Sequence, residues 1–340
     1  MHRVAKALRG WIGSAILATV FVSVSATPAS SLSPVPTPRG ILMMSEAPDG
    51  DVLLFGGVSN QIVLRRDLWR FDTDAGAWTP GTNGPRPPEG LGAMAFDADS
   101  GVAVLYLGVL SRFAPTAQTW LFDPARERWT DVTAVGTPVG LLGPSMVYDT
   151  GSDLIVLFGG LDVRTFTFSD TTWTYNVELN TWSETSPSNR PGGRNFAAMA
   201  YEPASDQTVL FGGDTFEGPL NDTWLYDADK DEWHQVAGPS EPSPRAYATA
   251  ASDSAGRILL FGGVNDPLGE AYGDTWAFED SEWSNLEPSL APSPRGFHGM
   301  AAGAASGSIV IFGGGPTRET TTNETWLYDP VANVWTRVIG

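Results

Sequence analysis

Tryptophan spacing is the feature of this chain that most restricts its fold. Twelve of the thirteen tryptophans form six pairs that recur about every fifty residues, and Trp11 alone stands outside the series. The inner members are Trp69, Trp120, Trp173, Trp224, Trp276 and Trp326, and the outer members are Trp78, Trp129, Trp182, Trp233, Trp283 and Trp335. This period indicates one structural unit copied six times.

Each unit contains four short segments separated by turn residues. The first segment often opens with Pro-Arg, as at Pro294 and Arg295, and the second ends in an apolar run with paired glycines, as in residues 157–160. The third carries the inner tryptophan, and the fourth carries the outer one. Because the segments are rich in β-branched and aromatic residues and show no helical period, they predict four antiparallel strands per unit and a radial propeller.

The tryptophans and glycines have expected packing roles. An indole is large enough to fill the wedge between neighbouring sheets. Paired glycines permit positive φ angles and allow an aromatic ring to lie directly on the backbone. The second unit reads Tyr106-Leu107-Gly108 at this place and is the weakest copy.

These motifs resemble the kelch repeat. The run Phe-Gly-Gly, Asp-Thr-Trp-x-Tyr-Asp, an outer tryptophan and Pro-Arg carries the resemblance over about residues 38–338. It implies an all-β, six-bladed kelch β-propeller of four-stranded antiparallel blades, similar to secreted bacterial kelch propellers and to the central domain of galactose oxidase. The repeat begins with a first strand and ends with a fourth, so we expect contiguous blades.

The N-terminus has the pattern of an export signal. Arg3, Lys6 and Arg9 precede an apolar run over residues 11–24, and small residues follow up to Ala26. The alternative is a membrane anchor, but the run is short for a span of about 20 residues. We therefore predict a secreted protein, cleaved near Ala26, with no stable membrane anchor.

The predicted organisation has three parts. A signal peptide occupies residues 1–26, a Pro/Ser/Thr-rich spacer residues 27–37, and the propeller residues 38–340. We expect the mature protein to be a monomer.

Composition excludes several classes of function. The formal net charge of −19 opposes binding to nucleic acid. The chain has no cysteine, which excludes disulfides, thiolate metal sites and the Tyr–Cys copper centre of galactose oxidase. The acidic turns at residues 97–101 and 227–231 lack the bidentate glutamate of a calcium loop. We predict no cofactor, no metal and no catalytic residue.

The first candidate binding site follows from the kelch resemblance. It implies that the loops between second and third strands share one face with the connections between blades. Those loops span residues 58–66, 109–117, 161–169, 214–221, 264–273 and 315–323. Arg65, Arg164 and Phe166 are the candidate binding residues there, since arginine and aromatic side chains dominate interface energetics. The alternative is ordinary loop variation with local packing.

The second candidate site is the channel mouth. Residues aligned at the start of each innermost strand include Arg39, Glu89, Arg194, Arg245 and Arg295. Four guanidinium groups at one mouth are able to clamp a carboxylate or sulfate. The alternative, which we favour, is that each arginine pairs with an acid of a neighbouring blade. His298 is expected to pack on the first strand rather than act as a base.

The sequence leaves two functions open. We favour a non-catalytic exported propeller that binds a protein or glycan through its loop face. The alternative is a carbohydrate-active enzyme, such as a sugar mutarotase, whose pocket uses Glu89, Arg194, Arg245 and His298 at the channel mouth.

Overall fold

A computed structural model describes residues 34–82, 84–266, 269–303 and 307–339. The predicted signal peptide and residues 27–33 of the predicted spacer lie outside these ranges, so both assignments stay predictions. Within the described residues, no helix has the length and apolar character needed to cross a bilayer.

The first half of the described chain forms three four-stranded antiparallel sheets, which we call blades. Blade 1 contains β1 (Met43–Glu46), β2 (Val52–Phe55), β3 (Leu68–Asp72) and β4 (Ala77–Pro80). Blade 2 contains β5 (Gly90–Asp97), β6 (Val102–Leu110), β7 (Ala114–Asp123) and β8 (Arg128–Asp131). Blade 3 contains β10 (Ser145–Asp149), β11 (Leu154–Phe158), β14 (Thr172–Asn176) and β15 (Thr181–Thr185). A small three-stranded sheet joins β9 (Leu141–Leu142), β12 (Leu161–Asp162) and β13 (Thr167–Phe168).

The second half forms three more blades of the same kind. Blade 4 contains β16 (Ala198–Glu202), β17 (Gln207–Phe211), β18 (Thr223–Asp227) and β19 (Glu232–Val236). Blade 5 contains β20 (Thr249–Ser252), β21 (Ile258–Phe261), β22 (Thr275–Glu279) and β23 (Glu282–Asn285). Blade 6 contains β24 (Gly299–Gly303), β25 (Ser308–Phe312), β26 (Thr325–Asp329) and β27 (Val334–Ile339).

The innermost strands close the blades into a ring. The first strands β1, β5, β10, β16, β20 and β24 contact one another in that order, and β24 also contacts β1. Within the described residues, each blade uses strands from one continuous stretch of the chain. The expected all-β propeller of four-stranded antiparallel sheets is confirmed.

The outer tryptophans fill the wedges between blades. Each indole lies between an aromatic ring of the third strand of its own blade and one of the second strand of the preceding blade. The centroid distances to the preceding blade lie between 5.1 and 5.9 Å. Aromatic pairs at this spacing contribute about 0.5–1.5 kcal/mol beyond their burial. The predicted wedge role is confirmed.

A buried hydrogen bond fixes most of these indoles. The Nε1 atoms of Trp78, Trp182, Trp233, Trp283 and Trp335 donate to threonine hydroxyls of the preceding blade at 2.8–3.0 Å. The first of these bonds joins Trp78 of blade 1 to Thr325 of blade 6, so the ring closes by the same contact that joins internal blades. At the junction between blades 1 and 2, the equivalent residue is Leu68, which has no hydroxyl.

The glycine pairs serve a different contact from the one expected. At Gly262, where φ is +66°, a Cβ atom would lie 2.3 Å from the backbone oxygen of Arg295 in the next blade. The following residue, Gly263, donates its N–H to that same oxygen at 2.9 Å. The backbone of the next blade therefore makes the closest approach to Gly262, and the imidazole ring of His298 lies slightly farther, 3.3 Å from the same Cβ position.

Blade 2 shows what happens without the glycine pair. With Leu107 in place of a glycine, β6 continues through a register shift, and a 3₁₀ turn at Ser111–Phe113 joins it to β7. Residues 109–117, expected to be a loop, are thus largely a strand hairpin on the loop side of the propeller. The small sheet packs beside it, since β9 contacts both β5 and β6.

The closing hydrogen bond can be tested with Thr325→Val. Valine keeps the shape of threonine but leaves the buried Trp78 N–H without its acceptor, so we expect a loss of about 1–3 kcal/mol in the free energy of unfolding. Chemical denaturation followed by tryptophan fluorescence measures it. Thr172→Val, at an internal junction, should cost a similar amount, and the exposed Thr130→Val should be nearly neutral. A neutral Thr325→Val would contradict this role.

Candidate functional site

The four arginines of the candidate channel-mouth site are buried ion-pair partners. Each guanidinium binds a carboxylate two residues before an inner tryptophan, in its own blade rather than in a neighbouring one as expected. The pairs are Arg39–Asp67, Arg194–Asp222, Arg245–Asp274 and Arg295–Glu324. Because each group is committed to an acid inside its blade, the four do not form a shared anion clamp.

Each pair is part of a larger network. Arg245 donates to the backbone oxygen of Gly262 at 2.9 Å and to both carboxylate oxygens of Asp274 at 2.6 and 2.8 Å. The indole of Trp276 donates to the same carboxylate at 2.7 Å. These bonds satisfy a buried charge from several directions, as a low-dielectric site requires.

The network lowers the pKa values of its carboxyl groups. Burial alone would raise the pKa values of Asp67, Asp222, Asp274 and Glu324. The hydrogen bonds and positive charge of the paired arginine, with the indole N–H of the next tryptophan, hold all four pKa values below the usual range. The groups are therefore charged and paired at neutral pH.

The remaining channel-mouth candidates are not gathered into one pocket. Glu89 is exposed ahead of β5. His298 is buried, and its Nε2 lies 2.6 Å from the hydroxyl oxygen of Thr249. Burial, followed by the charge of Arg295, lowers the pKa of His298 to about 3, so the imidazole is neutral at neutral pH. It packs against Phe261, as expected for a structural residue.

An arc of aromatic residues at the channel mouth was missed in the sequence. Phe196, Tyr247 and Phe297 each lie two residues after one of the arginines, and adjacent ring centroids are 4.2 and 4.3 Å apart. All three have positive φ, and a relay of backbone hydrogen bonds links them from blade to blade and on to Ile41. The repeated arginine-x-aromatic pattern is the signal that would have revealed them.

The arc lines a cavity of about 180 Å³ at the centre of the ring. Pockets for drug-sized ligands usually have about 300–1,000 Å³, so this cavity is small by that measure. Of the residues assigned to the enzyme alternative, His298 lines the cavity, whereas Glu89, Arg194 and Arg245 do not. Among the described residues, no three histidine or carboxylate side chains lie close enough together to hold a metal ion.

The three loop candidates lie on the loop side of the propeller. Arg65 is half-buried, whereas Arg164 and Phe166 are exposed at the tip of the β12–β13 hairpin. The Nη2 atom of Arg164 lies 2.7 Å from the Oδ2 atom of Asp162. In the blade 4 loop, the pKa of Asp214 is raised to about 6 by burial and by the charge of Asp266. The structure thus brings Arg164 and Phe166 together, apart from the channel-mouth arginines.

Two family models match this architecture. The KLHDC2/KLHL20/DRC7 Kelch-repeats domain matches residues 143–339, and the Attractin/LZTR1 beta-propeller matches residues 25–202. The chain belongs to the kelch-repeat β-propeller family.

The chain is similar to several known proteins. The chain is 25% identical over 300 residues to Kelch domain-containing protein 2 of Bos taurus, covering 77% of this chain and 72% of that protein. It is 27% identical over 282 residues to Adagio-like protein 3 of Oryza sativa subsp. japonica, covering 78% and 44%. It is 26% identical over 273 residues to Serine/threonine-protein phosphatase BSL2 of Arabidopsis thaliana, covering 76% and 26%. It spans less than half of the last two proteins.

The structure assigns a role to each residue of the kelch Asp-Thr-Trp motif. In blade 5, Asp274 binds Arg245, and Trp276 donates to Asp274. The hydroxyl of Thr275 accepts the indole N–H of Trp335 in the next blade. The motif therefore stabilises contacts within and between blades. We expect ligand-binding residues at other positions of the kelch ring.

Asp274→Asn tests the ion-pair network and its pH dependence. Removing one partner of a largely buried pair should cost about 3 kcal/mol of unfolding free energy at neutral pH. The folded-state pKa of Asp274 is depressed, so its contribution is present above the usual value of 3.8 and is lost as pH falls through the lower folded-state pKa. Denaturant titrations should show the gap between wild type and variant narrowing below about pH 4.

Asp227→Asn is the matched control, because Asp227 pairs with the exposed Lys230. Its cost should be at most about 1 kcal/mol. A gap between wild type and Asp274→Asn that stays constant from pH 7 down to pH 3 would contradict the ion-pair account.

Proposed function

We propose that this kelch propeller is an exported interaction module that binds a protein or glycan ligand on its loop face. The kelch relatives support an interaction module in general terms. The observation that carries the proposal is the position of exposed aromatic side chains. Phe113, Phe166 and Phe216 all lie in connections between second and third strands, on one side of the ring.

The opposite side of the ring supports this choice by contrast. It is formed by hairpins between first and second and between third and fourth strands, which are rich in acidic turn residues. Their side chains largely serve the hairpins themselves. Asp97, for example, accepts hydrogen bonds from the backbone N–H groups of Asp99 and Ser100. Turn chemistry of this kind explains the acids without a ligand.

The geometry favours binding over catalysis. The arginines of the enzyme alternative are held by carboxylates, His298 is neutral and buried, and the central cavity is small. A glycan on the loop face remains part of the proposal, because exposed aromatic rings suit the apolar faces of sugars as well as side chains of a protein.

Export is tested by expressing the full chain in a bacterial host. We expect the protein outside the cytoplasm, and N-terminal sequencing should give a mature start directly after Ala26. Replacing Arg3, Lys6 and Arg9 together by Glu should retain it inside the cell, since export signals need a positive end. An uncleaved chain that remains membrane-bound would favour an anchor instead.

The binding face can be tested by site-directed shielding, since the chain has no native cysteine. Glu217→Cys and Thr320→Cys on the loop face, each coupled to a polyethylene glycol maleimide, should abolish binding in a glycan array and in selections from a displayed peptide library. Asp229→Cys on the opposite face is the matched control and should retain binding. Loss of binding with the control alone would contradict the loop-face assignment.

A further inference from the structure

The loop regions of blades 1, 2 and 3 share an apolar layer of their own. We call residues 58–66, 109–117 and 161–169 together the blade 1–3 crest. Leu91, Val109 and Leu142 form a buried cluster at its base. Residues from all three blades pack on this cluster, including Val58 and Leu64 of blade 1 and Leu161 and Val163 of blade 3. The three crest segments therefore pack on one shared apolar cluster.

Large apolar side chains are exposed above this layer. Ile62 is 43% exposed, Phe113 37% and Phe166 49%, and Val63 beside Ile62 is similarly exposed. Each of the three crest segments thus presents at least one such residue. Among the described residues of the loops in blades 5 and 6, no large apolar side chain is exposed to this degree. Phe216 in the blade 4 loop is also exposed, and its ring centroid lies 4.6 Å from that of Phe168 in the crest. A contiguous group of exposed apolar residues marks an interaction site.

The same positions carry backbone strain. Ile62, Phe113 and Phe166 have φ angles of 59°, 57° and 56°, and Arg112 has 60°. A left-handed conformation is costly for bulky residues and especially for β-branched isoleucine. The backbone N–H groups of Ile62 and Phe166 donate to the carbonyl oxygens of Ser59 and Asp162 in tight turns. Strained residues of this kind cluster at functional sites.

Charge divides the loop face into two halves. The crest carries Arg65, Arg66, Arg112 and Arg164 against Asp162. The corresponding loops of blades 4, 5 and 6 carry Asp214, Glu217, Asp266, Glu270 and Glu319 against Arg318. In a chain with a net charge of −19, the crest is a local basic region joined to exposed apolar residues. Charge of this kind selects partners of opposite sign.

We propose that the blade 1–3 crest docks an acidic segment of a partner protein whose apolar side chains cover Ile62, Phe113 and Phe166. This inference rests on the proposed function of the loop face and specifies which part of that face binds and what it binds. Arg66 and Arg112, both exposed, select the acidic charge of the segment. The aromatic rings supply the desolvated contact area that arginine and aromatic hot spots provide in protein interfaces.

A phage-displayed library of random peptides, selected on the full mature chain, tests this proposal. The enriched pool should be rich in Asp and Glu and contain apolar residues, and its binding should weaken as salt is raised. Phe113→Ser with Phe166→Ser should weaken binding at least about tenfold. Arg66→Glu with Arg112→Glu should shift the enriched pool towards basic peptides. Thermal unfolding confirms that each variant is folded.

Leu179→Ser with Val331→Ser is the matched control, because it removes two exposed apolar side chains from the opposite side of the ring. It should leave binding unchanged. Enriched peptides that bind the crest variants as tightly as wild type would overturn the crest assignment while leaving a loop-face binder elsewhere. No enrichment on the wild-type chain would count against protein binding by the loop face itself. A dimer that the Phe113/Phe166 variant abolishes would replace the acidic partner with a second copy of this chain.

Discussion

The structure depends on the outer tryptophan held between two blades. Its indole fills the wedge between sheets, and at five of the six junctions its N–H group donates to a threonine hydroxyl of the preceding blade. Because Trp78 and Thr325 make this contact between the first and last blades, the ring closes without strand exchange. The contact has the same length as those at internal junctions, so closure needs no special device.

The buried arginines complement this joint. Each one pairs through its side chain with an acid of its own blade, and its backbone oxygen accepts a hydrogen bond from the glycine pair of the preceding blade, as Arg295 does from Gly263. Each arginine therefore links the ion pair inside its own blade to the backbone of the preceding blade. With these polar groups satisfied internally, the loop tips contribute little to ring stability and are able to carry binding chemistry.

The sequence predicted the structure best where a large side chain can be buried in only one kind of place. Indoles at a fixed spacing predicted the strands and the ring, because only a wedge between sheets buries so many of them. The arginines were correctly expected to be paired, but with the wrong blade, since sequence spacing does not show which carboxylate a long side chain reaches. The loss of a glycine at Leu107 was visible, but the hairpin that follows from it was not. Tyr247 and its neighbours were missed because positive φ at bulky residues depends on hydrogen bonds from adjacent blades.

The cooperative closure of the ring is tested most directly by hydrogen exchange of the indole N–H groups, followed by nuclear magnetic resonance. If the outer tryptophans join the blades into one unit, the indoles of Trp78, Trp182, Trp233, Trp283 and Trp335 should exchange only through global unfolding, with one common opening free energy. If the Trp78 indole instead exchanged through a separate opening of much lower free energy, blades 1 and 6 would be only loosely joined, and the account of a uniformly closed ring would be wrong.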